Sequence, residues 1–149
     1  MNVTLFLLLA AGIPGQSPFD LHGEHFANYH RAHQAAHDAA KPLLIIMNPG
    51  PQTEFVSLES VRRTKERREL LKNYVVVVID TTTRHGEIVH NAYARPKLPH
   101  VVVLDKRQRY QIFTTSEELY GDRWTTILKS YRNGERVIPR PVSYCPYCQ

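Results

Sequence analysis

The sequence predicts a three-layer α/β sandwich, and three observations predict it. Two continuous apolar runs, residues 43–47 and 74–79, are bounded by turn-forming or polar residues and are too apolar for half-exposed strands, so they belong in a sheet covered on both faces. Segments with apolar residues at three- and four-residue steps alternate with them. The order helix, strand, helix, strand, helix, strand, strand, helix then contains a β-α-β unit followed by a hairpin. With 149 residues, 42% hydrophobic and 22% charged, the chain is one ordinary globular domain, which excludes collagen-like, low-complexity and fully disordered classes.

The elements follow in order. Residues 3–11 are apolar except Thr4 and lead into Gly12, Pro14 and Gly15. The run is too short to span a bilayer. Residues 1–15 are expected to be a signal peptide, with Ala10, Ala11 and Gly12 as small residues for cleavage; a basic n-region is missing, and the alternative is a buried N-terminal strand. The folded domain is expected over 22–134, followed by a flexible tail over 135–149.

Phe26, Tyr29, Ala32, Ala36 and Ala40 predict a helix over 22–40, stopped by Pro42. The strand 43–47 ends in the rigid Asn48-Pro49-Gly50-Pro51 loop. A second helix is expected over 53–72, with Phe55, Leu58, Val61 and Leu71 inward and Arg62, Arg63, Lys65, Arg67, Arg68 and Lys72 on the polar side. The strand 74–79 lies centrally. A short helix over 86–93 precedes a strand over 101–104, a turn over 105–108 and an antiparallel partner strand over 110–113. The last helix opens with Asp122 as its cap. Trp124, Ile127, Leu128 and Tyr131 form its stripe, and Asn133-Gly134 supplies a left-handed stop.

At this point the residues resemble a family. Tyr29, Ala32, Ala36 and Lys41-Pro42 before an apolar strand, the run 74–80, and Leu98-Pro99-His100-Val101-Val102-Val103-Leu104-Asp105 are similar to the thioredoxin-like superfamily over residues 26–132. The resemblance implies a thioredoxin-like three-layer α/β/α sandwich around a mixed sheet of about four strands. It also implies a Cys-x-x-Cys site at the start of the helix after the first strand. There the free N–H groups of the helix terminus stabilise a thiolate. The matching positions are Gln52, Thr53, Glu54 and Phe55, and residues 48–55 contain no sulfur, so exchange chemistry is not expected at that place. Pro99 matches the family's cis-proline position; a cis bond there opens the Leu98 backbone to an extended partner segment, whereas a trans proline would begin an edge strand. Leu98, Pro99 and His100 with residues 49–55 then line a groove for a protein or peptide partner.

The two cysteines stand in Cys145-Pro146-Tyr147-Cys148-Gln149. The four letters resemble the glutaredoxin motif, but one residue after Cys148 cannot form the helix that would polarise Cys145. Three readings of the pair remain open: a local disulfide on an exposed tail, a redox-active dithiol in which Cys145 attacks and Cys148 resolves, and half of a metal site completed by histidine.

Of eight histidines, His22, His30, His33 and His37 fall within about 80° on a helix of 100° per residue. His33 and His37 could chelate a divalent metal, against the alternative of a solvated polar face; His100 would hydrogen-bond a bound partner or cap its strand. The net charge of +5 and the basic run over 62–68 invite a nucleic-acid reading. Glu59, Glu66 and Glu69 interleave with that run as ion-pair partners, and no stacking aromatics accompany it, so no nucleic-acid partner is expected. No phosphate loop, nucleophile elbow or paired carboxylates occur, and no cofactor is expected. The expected function is a thioredoxin-fold binding or accessory module in the cell envelope, inactive at the usual site. A thiol-disulfide oxidoreductase using Cys145 and Cys148 and a metal-binding protein using His and Cys are the alternatives.

Overall fold

A computed structural model of the chain describes residues 25–50 and 56–137. The proposed signal segment, Gln52 to Phe55, and most of the expected tail, with both cysteines, lie outside the described residues. The elements are β1 (His25–Phe26), α1 (Tyr29–Asp38), β2 (Leu43–Asn48), α2 (Leu58–Val61), α3 (Lys65–Leu71), β3 (Val75–Asp80), α4 (Arg84–Ala92), β4 (His100–Leu104), β5 (Gln111–Thr115) and α5 (Asp122–Ser130). One sheet has the order β1-β3-β2-β4-β5, with β1, β3 and β2 parallel, β4 antiparallel to β2, and β5 antiparallel to β4. Four strands of five or six residues carry it, and the two-residue β1 extends one edge.

Side chains alternate across a strand, so each apolar run divides between two cores. Leu44, Ile46, Val76, Val101 and Val103 meet Leu58, Val61, Leu71, Trp124, Ile127 and Leu128 from α2, α3 and α5. Leu43, Ile45, Met47, Val75, Val77, Ile79 and Val102 meet Ala32, Ala36 and Val89 from α1 and α4. All six side chains of β2 are buried, as a strand needs when helices cover both of its faces. The alanines of α1 bring its backbone close to the sheet. Tyr29 then ties α1 to α4, its amide donating to His85 Nε2 at 3.0 Å and its hydroxyl lying 3.3 Å from that of Tyr93. No helix among the described residues is long and apolar enough to cross a membrane.

Several boundaries depart from the sequence expectation. The first helix begins at Tyr29, because Asn28 caps it by accepting from the Arg31 amide at 3.1 Å, and His25 stands in β1 instead. The single helix expected over 53–72 is two in its described part: Ser57 caps α2, Thr64 caps α3, and each cap interrupts a hydrogen-bond ladder that periodicity alone would run through. The break rephases the second piece. Arg67 comes to lie one turn before Leu71 on the inner face and is 5% exposed, not on the polar side. Helix α5 has Gly121 at its cap, with a positive φ of 44° and no side-chain cap bond, so Asp122 is its first helical residue. Its inward stripe of Trp124, Ile127 and Leu128 is as expected.

Candidate functional site

The sheet register brings the candidate residues to one end. Met47 pairs with His100 and Asn48 with Asp80, so the last residue of β2, the end of β3 and the start of β4 share one rim. Asn48 is 5% exposed. Its amide nitrogen donates to the Val56 carbonyl at 3.1 Å, and its amide oxygen accepts from the Val56 N–H at 3.0 Å. This two-point clamp closes the connection between β2 and α2 at its base. Thr81 holds the other side of Asn48, donating from its amide at 3.1 Å and its hydroxyl at 2.8 Å to the Asn48 carbonyl. At the end of β3, Asp80 accepts from the Thr82 hydroxyl at 2.6 Å and the Thr82 amide at 2.9 Å, and these bonds hold its carboxyl below the usual range.

Facing Asn48 across the rim, the Leu98–Pro99 peptide bond is cis. Both residues are half-buried, and the Leu98 side chain packs against the α1 and α4 core. The approach to this pair is pinned by His90, whose Nε2 donates to the Pro96 carbonyl at 2.9 Å. Among the described residues, the N–H and C=O of Leu98 have no hydrogen-bond partner. A half-buried backbone with an unused donor and acceptor is what an extended peptide needs in order to add to a sheet rim.

His100, the first residue of β4, is committed within the chain. It is 8% exposed, with Nδ1 2.6 Å from the Ser116 hydroxyl and Nε2 2.9 Å from the Thr114 hydroxyl. Both ring nitrogens are used within the chain to join β4 to β5 and the segment after it. The ring is therefore not offered to a partner, and His100 contributes to the rim by its place in the backbone. Burial, with the nearby His90 as a smaller contributor, pushes its pKa below the ordinary 6.5. The neutral ring is the folded form, so its stabilising contribution is complete above about pH 6.5 and is lost as pH falls from there toward the lower folded-state value. In urea unfolding at about pH 7.5 and pH 5.5, we expect a His100→Gln variant to show less acid loss of stability than the parent. Equal losses would refute this assignment.

The remaining candidates separate. Gln52, Thr53, Glu54, Phe55, Cys145 and Cys148 lie outside the described residues, as does His22. His30, His33 and His37 stand on α1, where His33 lies against the Tyr29 ring with centroids 5.7 Å apart and His37 is 3.5 Å from Asp38. Among the described residues, no group of three or more His, Cys, Asp and Glu side chains is arranged to hold a metal ion. Of the acidic residues expected to pair with the basic run, Glu69 pairs with Lys72, beyond the run, at 2.7 Å, and Glu66 with Lys129 of α5 at 2.6 Å. Asn48, which clamps Val56 at this rim, is not among the candidates the sequence offers. Its only signal in the sequence is a polar amide at the end of a fully apolar run, directly before Pro-Gly-Pro.

With this geometry in hand, the chain can be set beside known proteins. No protein-family model matches it, and no curated protein matches it. Among solved structures it is similar to a thioredoxin from Thermus thermophilus, at 20% identity over 72% of this chain and 84% of that one, with a TM-score of 0.52. It is also similar to a DsbH oxidoreductase, at 14% identity over 81% of this chain and 94% of that one, with a TM-score of 0.50. The chain therefore has a thioredoxin-like fold.

Proposed function

We propose that this thioredoxin-like protein is an exported binding module that takes an extended protein segment at the Leu98–Pro99 rim and carries out no dithiol exchange at the start of the helix after β2. The observation that carries this reading is that the N–H and C=O of Leu98, half-buried at the rim that the Asn48 clamp closes, have no hydrogen-bond partner among the described residues. Residues 48–55 contain no cysteine, which supports a role in binding over one in exchange. The apolar run over residues 3–11 supports export to the cell envelope or beyond, with residues 1–15 as the removed segment.

The probe is insulin B chain with its cysteines carboxymethylated, titrated into the full chain and followed by amide NMR. Expected are shifts centred on Leu98 and His100, with micromolar affinity. Shifts confined to other surfaces, or none, would overturn the proposal. A parallel assay adds intact insulin and dithiothreitol. The oxidoreductase alternative, with Cys145 attacking and Cys148 resolving, requires catalysed reduction that disappears in Cys145→Ser; that result would replace the binding-only reading.

A further inference from the structure

β5 is the outer strand of the sheet, and among the described residues its far edge has no partner. Its sequence, Gln-Ile-Phe-Thr-Thr, holds neither the charge nor the proline with which proteins usually blunt an open edge. Beside it runs a groove of about 410 Å³, lined by Phe113, Thr115, Asp122, Thr126 and Ile127 and by the Arg123 to Glu117 ion pair. The exposed aromatics Tyr110, just before β5, and Tyr120, two residues before α5, stand at 69% and 63% exposure. Such a strip is open to strand addition.

The chain delivers a segment to one end of it. After α5 it returns to the turn between β4 and β5, where the Lys106 amide donates to the Gly134 carbonyl at 3.1 Å and Lys106 Nζ meets Glu135 at 2.6 Å. Gly134 is required there: it has φ +64°, and a Cβ would stand 2.7 Å from the Lys106 backbone nitrogen. Val137, 48% exposed, thus leaves from the end at which β5 begins. The five residues of β5 span about 16 Å, whereas the eight steps from Val137 to Cys145 reach about 26 Å.

The composition of that segment fits an edge. In a strand, successive residues direct their N–H and C=O groups to opposite sides, so Pro139 and Pro141 put both missing donors on one side. Ile138, Arg140 and Val142 keep a complete set on the other. Arg140 supplies the cation for a groove holding Asp122, whose carboxylate has no partner among the described residues.

We infer that residues 138–142 dock along β5 as a further, parallel strand and that this carries Cys145 and Cys148 to the end of the sheet where Leu98 and Pro99 stand. Two strand spacings, about 10 Å, then separate the start of β4 from the line of the added strand. The inference does not depend on the peptide reading, because the strand pairs with β5 whether or not an external segment enters the rim.

Hydrogen–deuterium exchange tests it on the full reduced chain, a chain stopped after Val137, and Arg140→Pro, which removes one ladder donor and alters nothing before Val137. The amides of β5 are expected to exchange at least tenfold faster in both altered chains, with the rest of the sheet unchanged. A nitroxide on Cys145, in a Cys148→Ser background, is expected to broaden Thr115 and Leu98 but not Arg107 at the opposite end. Equal exchange in all three chains, or broadening centred elsewhere, would overturn the inference. So would β5 protection that rises with protein concentration and accompanies a dimer in ultracentrifugation, since the edge then belongs to a second copy.

Discussion

Replacing Arg67 with methionine is expected to lower the unfolding free energy by roughly 3 kcal/mol, although the side chain comes from the most charged stretch of the sequence. The guanidinium is buried and its hydrogen-bond partners are uncharged oxygens: Nε donates to the Thr125 hydroxyl at 3.1 Å, and the two terminal nitrogens donate to the carbonyls of Ser60, at 3.3 Å, and Gly121. One side chain of α3 thereby ties α2, the entry to α5 and α5 itself. Methionine fills the space but leaves these acceptors without their donor, at about 1 to 3 kcal/mol for each that water cannot reach. Lysine is expected to recover only part of the loss, because a single ammonium cannot present a planar fork to three separate oxygens. Urea unfolding of the parent and both variants decides the matter. A methionine variant as stable as the parent would mean that the desolvation of the guanidinium cancels its bonds.

The second large effect is expected at Gly86, where alanine should cost about 3 kcal/mol or more and lower the melting temperature by about 10 °C. Helix propensity points the other way, favouring alanine by about 1 kcal/mol inside a helix. The contact outweighs it. A Cβ at position 86 would stand 1.8 Å from the Asp80 carbonyl oxygen, 2.6 Å from its carbon and 2.9 Å from the Thr81 Cα, all backbone atoms that cannot rotate away. Either α4 or the end of β3 has to move, and Thr81 is the residue that holds the Asn48 carbonyl. Loss of stability should therefore come with broadened NMR signals at Asn48 and Val56. Glu87→Ala, on the exposed side of the same helix, is the control and should change the melting temperature little.

Much of the architecture is legible in the local chain because the two periodicities are clean. The runs that form β2 and β3 are continuous and apolar, which only strands covered on both faces require, and the Trp124, Ile127 and Leu128 stripe places α5 against a core. The break at residues 62–64 is harder to read. Thr64 is an ordinary helix residue by pattern, and it becomes a cap only because its hydroxyl accepts from the Arg67 amide at 3.2 Å. That local choice turns Arg67 inward, so an apparent solvated charge run conceals a buried tie. The candidate site divides in the same way. Leu98 and Pro99 carry a recognisable pattern, whereas Asn48 acts through Val56, eight residues on, and nothing in the intervening letters announces the bond.

By itself the sequence determined the layered α/β class, the identity of the central strands and the absence of sulfur from residues 48–55, since burial pattern and composition are properties of short stretches. Only the tertiary structure decided that Asn48, Thr81 and Leu98 meet at one rim, that both nitrogens of His100 are spent inside the chain, and that the outer edge of β5 has no partner among the described residues. Each of these depends on strand order and register, which bring together groups tens of residues apart and are set by how the whole sheet packs between its helices.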